Sequence, residues 1–491
     1  MLLATLVEGV ATRWPDRVAL VDGERQLTYA ELGAARTRVA AGLLAAGLRP
    51  GDRLAILSPN CAELVIAYHA AFAAGIVLVP INTRLIAAGI AFVLDHSEAE
   101  ALIVHERLLD RLPEQRPERM WVIGGSFDEL AGDGPVAGVD DPQAPAAILY
   151  TSGTTSTPKG VTHSHDSLWH TAANQAWTQQ LGADDIHLVS LSAAHIAAFA
   201  GQVLATAYAG GRIVLLADPT PQTLLAAIVE QRPTFLQMTP AILAETLDEV
   251  TDPAQLASVK CCLAGGDKVP SGTHEHFHRI TGNNVTEVCG MTESFSYVMN
   301  PPFGGQREGS IGLPTHGTRV RIGREDGTEA APGEVGELQV QSAATMLGYW
   351  NDPERTAAVL HDGWLHTGDM GRRDEDGWFF FASRRTDMII RGGSNISPLE
   401  IEGVLSEHPA VAEAAVVGVP DPVLGQRVAA VVRLHPGEQA TPDELIAFAA
   451  SRLAEYQTPE RVEIADELPR NATGKVDRVA VLRGLAATGT P

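Results

Sequence analysis

Ala146-Ala-Ile-Leu-Tyr-Thr-Ser-Gly-Thr-Thr-Ser-Thr-Pro-Lys-Gly160 is an apolar run that breaks into a loop of hydroxyls, glycines and a single lysine. Its first five residues read as a buried strand. From Thr151 onward, side-chain O–H groups, backbone N–H groups freed by glycine and the Lys159 ammonium can surround a polyphosphate with donors. Most Ser/Thr/Gly runs are solvated loops; the strand before this one and the lysine after its proline argue for phosphate binding. A Walker A loop needs Gly-Lys-Ser/Thr at the head of a helix, whereas Lys159 is followed by Gly160 and Val161. The loop therefore predicts a nucleotide-phosphate site on a fold other than that of a P-loop NTPase.

Around this strand the chain alternates. Thr28-Tyr-Ala-Glu31 is a capping box that starts a helix running to about Ala46 and stopped by Gly47. Strands are expected at Arg53–Ser58, Ile76–Val79, Ala101–Val104, Met120–Ile123 and Ala146–Tyr150, then at His187–Leu191, Arg212–Leu216, Phe235–Thr239, Lys260–Ala264 and Val285–Val288. Helical spans lie between them, which indicates α/β layers with mostly parallel sheets. So many strands would strain one open sheet, so at least two are expected. From about Gly309 the rhythm changes to short strands and Gly/Pro turns, as in Pro332-Gly-Glu-Val-Gly-Glu-Leu-Gln-Val340, which predicts a small antiparallel, barrel-like β subdomain over about 309–383. Ser383-Arg-Arg-Thr-Asp387 then interrupts the apolar pattern with charge. The expected organisation is a large N-terminal domain over 1–384 and a small α+β C-terminal domain over 385–491.

With 491 residues the chain is too long for one core, and at 45% hydrophobic and 20% charged residues it has a soluble protein's composition. A formal net charge of −24 argues against nucleic acid or an anionic membrane as the main partner. An anionic ligand must then be held by a local pocket against the overall field. Cys61, Cys261, Cys262 and Cys289 form no CxxC pair, so they offer neither a disulfide framework nor a zinc site and fit a reducing compartment. Leu64–Ile81 is apolar enough to raise the question of a membrane span, but Tyr68, His69 and Gly75 divide it into a buried helix, a glycine stop and a strand. The N-terminus lacks a basic region and a cleavage site, and a cytoplasmic enzyme is expected.

Three further motifs follow in order: Gly290-Met-Thr-Glu293 after a strand, Trp364-Leu-His-Thr-Gly-Asp369 before the charged junction, and Pro469-Arg-Asn-Ala-Thr-Gly-Lys475 near the end. With the opening loop, and in this order, they resemble the adenylate-forming superfamily of acyl-CoA synthetases, peptide-synthetase adenylation domains and luciferases. The resemblance spans nearly the whole chain. It implies a mobile C-terminal domain and a two-step reaction: a carboxylate attacks the α-phosphate of MgATP to give acyl-adenylate and pyrophosphate, and the CoA thiol then displaces AMP. By the same resemblance Thr151, Ser152, Gly153, Thr154, Thr155 and Lys159 embrace the β- and γ-phosphates, Thr292 donates to the α-phosphate, and Glu293 holds Mg²⁺. Asp369 accepts from the ribose hydroxyls with Arg384 beside it, and Gly265, Gly266 and Asp267 form the adenine wall with Cys289, Gly290 and Met291. Lys475 bridges the carboxylate and α-phosphate during adenylation, and Gly392 and Gly393 line the pantetheine tunnel during thioester formation.

The chain departs from the family pattern at three places. Ser156 stands where the loop usually has glycine, Cys289 where a tyrosine usually packs on adenine, and Thr386 at the hinge, normally Asp or Lys. For the acid, His195 matches the histidine at the pocket entrance, and Ala197, Ala198, Phe199, Gly201, Gln237, Ser294 and Val298 are the expected walls. There is no aspartate where amino-acid-activating domains bind the substrate amine, and no obvious arginine for a second carboxylate, so a medium-chain or aryl monocarboxylate is favoured. His274, His276 and His278 resemble a metal cluster, yet on a helix only His274 and His278 share a face, and a solvated helix face is expected. Two readings of the acceptor remain open: CoA, or, in a stand-alone adenylating enzyme of a natural-product pathway, a carrier-protein thiol supplied in trans, an amine or another nucleophile.

Overall fold

The computed structural model describes residues 1–151, 158–266, 269–307, 309–392, 394–470 and 476–488. The chain divides into two compact units, Met1–Val320 with Val340–Leu365, and Arg321–Gln339 with His366–Pro491.

In the first unit the apolar runs become two sheets. The seven-stranded sheet holds Arg53–Leu57, Val77–Pro80, Ala101–His105, Arg119–Ile123 and Pro145–Thr151 in parallel, and Lys159–Ser164 turns back antiparallel on Pro145–Thr151. A two-residue strand, Gly348–Tyr349, caps that edge. The nine-stranded sheet has six parallel central strands: Val18–Asp22, Arg212–Leu215, Ile186–Val189, Phe235–Met238, Cys261–Gly265 and Val285–Met291. Antiparallel strands close both edges, Arg25–Thr28 on one side and Ser294–Met299 with Leu313–Pro314 on the other. One apolar cluster contains Leu54, Ile56 and Leu149 of the smaller sheet, Ile213 and Leu215 of the larger, and the helix Ala62–Ala74. This helix is buried along almost its whole length, and Gly75 ends it in the left-handed region at φ +69° before the strand Val77–Pro80. That accounts for the apolar run 64–81. Among the described residues no helix is long and apolar enough to cross a membrane.

In the second unit, residues 369–373, the later part of the strand Trp364–Arg373, pair antiparallel with Phe379–Arg384. Ile389–Arg391, Ser394–Ile396, Val411–Asp421, Gly425–Leu434 and Arg461–Ile464 build a further sheet. Its residues alternate between faces, as the strand period requires. Val416, Val428, Ala430 and Val432 pack with Ile401, Leu405 and Leu445, whereas Ala415, Val417, Ala429 and Val431 pack with Val481 and Leu485. Helices therefore cover both faces. The β-rich segments 321–339 and 366–383 fall in this unit, and the junction expected after residue 384 lies within it.

Candidate active site

In the first unit Thr151, Gln237, Gly265, Gly266 and the segment 289–293 stand at or just beyond carboxyl ends of parallel strands, where α/β sheets place ligands. Thr151 ends one strand opposite Lys159, the first residue of the next. Gly265 ends another, and Gly266 follows at φ +89°. A Cβ on Gly265 would lie 2.6 Å from the Val288 side chain and 2.8 Å from its carbonyl oxygen, so only glycine fits.

The Gly-Met-Thr-Glu segment is a bulged hairpin. Cys289 pairs with Val298 and Met291 with Ser294, with a register shift between them. A Cβ on Gly290 would stand 2.2 Å from the Ser296 backbone nitrogen, and Ser296 itself sits at φ +53°. Thr292 and Glu293 are the two turn residues between the paired Met291 and Ser294, so they lie outside the ladder. Thr292 is fixed through its carbonyl, which accepts from His163 Nε2 at 2.8 Å. Because a carbonyl only accepts, the proton is on Nε2, and His163 Nδ1 faces the Ser167 hydroxyl at 3.1 Å. Burial pushes the His163 pKa down to about 4, keeping the ring neutral. Since His163 belongs to the seven-stranded sheet, this bond ties the hairpin of one sheet to a strand of the other.

Glu293 is only 6% exposed. Its Oε1 accepts from the Tyr349 hydroxyl at 2.7 Å and its carbonyl from the Met346 N–H at 2.8 Å. Burial, then the facing Glu293 carboxylate, push the Tyr349 hydroxyl pKa well up, so it stays a donor. Lys159 Nζ lies 5.0 Å from the centre of the Tyr349 ring. Beside them Tyr349, Trp350, Lys159 and Arg355 border a cavity of about 220 Å³. A hard carboxylate with one oxygen taken by a hydroxyl and the other without a partner among the described residues suits a hard divalent cation.

On the acid side His195 is half-buried at the start of the π-helix Ala197–Leu204. Widened turns of this kind recur at functional sites. Ala198 and Phe199 are fully buried, and Phe199 packs edge-on against Tyr68 at 5.1 Å. A Cβ on Gly201 would come within 2.4 Å of the Phe295 ring. Gln237 is 4% exposed and its Oε1 has no partner among the described residues. Ser294 lies 3.4 Å from the Thr345 hydroxyl, and Val298 is fully buried between Cys289 and Pro314. Cys289 is half-buried, with its Sγ 3.3 Å from the Tyr297 hydroxyl.

In the second unit Asp369 is 1% exposed and stands directly across the ladder from Arg384, whose Nε is 2.6 Å from Oδ1. The Thr386 hydroxyl donates to Asp387 at 3.1 Å, and Gly392, at φ +57°, donates its N–H to the Leu424 carbonyl at 2.8 Å. Ser152, Gly153, Thr154, Thr155, Ser156, Asp267, Gly393 and Lys475 lie outside the described residues. His274, His276 and His278 turn to three different neighbours, Glu287, Asp248 and the Asn283 carbonyl. Tyr349 and His163 were not foreseen; a Gly-Tyr before the Asn-Asp-Pro turn was the one hint for the former.

Residues 7–350 match the model of the AMP-binding enzyme family, and residues 400–475 match the AMP-binding enzyme C-terminal domain. A feruloyl-CoA synthase of Amycolatopsis sp is 36% identical over 475 residues, 96% of each chain. The crystal structure of ATP-bound MatB from Rhodopseudomonas palustris superposes with a TM-score of 0.90 at 28% identity, covering 98% of both chains. That of the o-succinylbenzoate CoA synthetase of Bacillus subtilis, in complex with its acyl-adenylate, gives 0.87 at 32% identity, with 99% and 98% covered. The chain therefore belongs to the AMP-binding enzyme family, as an AMP-forming ligase of the acyl-CoA synthetase type.

Proposed function

We propose that this enzyme activates an aryl or medium-chain monocarboxylate, with ATP and CoA as its other substrates. The acid becomes an acyl-adenylate with loss of pyrophosphate, and the CoA thiol then displaces AMP. The observation that carries the adenylation reading is that one side chain, Tyr349, meets both Lys159 and the buried Glu293 carboxylate. In this reading Lys159 and the loop from Thr151 hold the leaving phosphates, and Thr292 donates to the α-phosphate. Glu293 holds magnesium, which when bound offsets charge building on the phosphate oxygens. Asp369 and Arg384 take the ribose; Gly265, Gly266 and Asp267 flank adenine. Lys475 meets the reacting carboxylate, Thr386 is the hinge residue after 384, and Gly392 and Gly393 line the path of the pantetheine.

The acid class rests on wall chemistry. Ala197, Ala198, Gly201 and Val298 are small or apolar, and Gln237, uncharged and with no partner to its Oε1 among the described residues, brings no cation for a second carboxylate. The 36% identity to a feruloyl-CoA synthase favours an aryl acid. With cytoplasmic ATP and CoA as co-substrates, a cytoplasmic setting follows.

A panel of benzoates, cinnamates, straight-chain acids and malonate, each with ATP and with or without CoA, tests this reading by mass spectrometry of the products. Aryl or medium-chain acyl-CoA is expected. Malonyl-CoA as the main product would overturn the acid class. Adenylate formation with no thioester in the presence of CoA would instead point to a carrier-protein thiol.

A further inference from the structure

We propose that Tyr349 is a positioning residue for the adenylation step. Its hydroxyl sets the free oxygen of Glu293 toward the divalent cation, while its ring seats Lys159. This rests on the reading of Glu293 as the metal carboxylate.

Tyr349 is itself held at its backbone. Gly348–Tyr349 pairs with Thr162 and Val161, the Leu347 N–H donates to the Thr162 carbonyl at 2.8 Å, and the Trp350 N–H donates to the Gly160 carbonyl at 2.7 Å. The Tyr349 N–H donates to the Thr356 hydroxyl, also at 2.8 Å. The ring is thus fastened to the strand that begins with Lys159, and its hydroxyl reaches 2.7 Å to a carboxylate carried by the other sheet. Met346, three residues earlier, donates its N–H to the Glu293 carbonyl. One short segment therefore holds Glu293 at both main chain and side chain. The carboxylate is 6% exposed and has two oxygens; with Oε1 engaged by Tyr349, Oε2 is the one left for a cation. A rigid carboxylate loses less freedom when it takes a metal ligand's geometry. Because the same ring lies under Lys159 at 5.0 Å, the lysine and the carboxylate are set relative to one another by a single side chain.

The two contacts separate by substitution. Tyr349→Phe keeps the ring and removes the hydroxyl, whereas Tyr349→Leu removes both. The readout is Mn²⁺ affinity of the full-length protein with ATP, followed by electron paramagnetic resonance, with the KM for ATP at saturating Mg²⁺ as the second measurement. Tyr349→Phe is expected to weaken Mn²⁺ binding about tenfold, as loss of a hydrogen bond to a charged group does, and to leave the KM for ATP within about twofold. Tyr349→Leu is expected to raise that KM as well. Glu293→Gln weakens Mn²⁺ on its own, and Tyr349→Phe added to it is expected to weaken it no further, because the hydroxyl acts through the carboxylate. Weakening by Glu293→Gln but not by Tyr349→Phe overturns the positioning role alone. No effect of Glu293→Gln overturns the reading of Glu293 as the metal carboxylate. Multiplying effects in the double variant would mean that Tyr349 acts on general stability, which also overturns the proposal.

Discussion

Cys289 is the residue at which this chain leaves its family's habit most visibly. By the family resemblance a tyrosine is usual there, and in the proposed reading, where adenine lies against residue 289, a thiol offers it no aromatic face. The side chain is half-buried and its Sγ stands 3.3 Å from the Tyr297 hydroxyl, so the neighbourhood already holds one ring. Stacking of an aromatic ring adds about 0.5–1.5 kcal/mol beyond its buried area. Cys289→Tyr is therefore expected to lower the KM for ATP by roughly threefold to tenfold, with kcat little changed. Steady-state kinetics across ATP concentration check this, and an unchanged or raised KM would mean that another group already covers the base. Cys289 could be singled out from sequence because it breaks a motif. Tyr349 could not, because its importance comes from a contact between residues 56 positions apart.

At the scale of elements, the parallel strands were legible because each is a short apolar run between helical spans; Cys261–Gly265 and Phe235–Met238 fall within a residue of their expected limits. Two kinds of element were not. Gly348–Tyr349 is a strand of two residues, too short to carry a period, and exists only because Lys159–Ser164 offers it a ladder. The π-helix Ala197–Leu204 shares its apolar composition with any buried α-helix, and its wider turn cannot be read from that pattern. The Gly290 bulge lies between these cases, with a legible motif whose geometric reason appears only in the fold. A methyl group on Gly290 would meet the Ser296 backbone nitrogen at 2.2 Å, and backbone cannot rotate away. Gly290→Ala is expected to cost about 1–3 kcal/mol and to reduce adenylation more than thioester formation from supplied acyl-adenylate. Denaturant melts and the two half-reaction rates measure this; equal loss in both half-reactions would detach the bulge from the phosphate site.

Over the whole molecule, burial makes stability depend on pH. His69 and His187 are pushed down to about 3, and His163 and His165 to about 4, all by burial. Each stays neutral in the folded chain, whereas its unfolded counterpart takes a proton below about pH 6.5. The unfolded state then binds more protons, so stability is complete above that pH and falls as the pH drops toward the folded values. The slope approaches about 1.4 kcal/mol per pH unit for each histidine. Melting temperatures recorded from pH 7.5 down to about 4.5 are expected to fall steeply from about pH 6, and a flat profile would show that these rings are hydrated. Histidine content is plain in the sequence, but the enclosure of these four is not. The division between units is similar: the charged run at 383–387 was visible, but the grouping of 321–339 with the C-terminal chain depends on contacts made after folding.

The central claim is that a carboxylate oxygen attacks the α-phosphorus of ATP. It is tested most directly with an acid accepted by the enzyme, labelled with heavy oxygen in its carboxylate, and turned over with ATP and CoA. When the acyl-adenylate is cleaved by the thiol, the oxygen that joined carbon to phosphorus leaves with AMP. Mass spectrometry is expected to find one heavy oxygen in AMP and none in pyrophosphate. Label in pyrophosphate or free phosphate, or formation of ADP instead of AMP, would contradict the account.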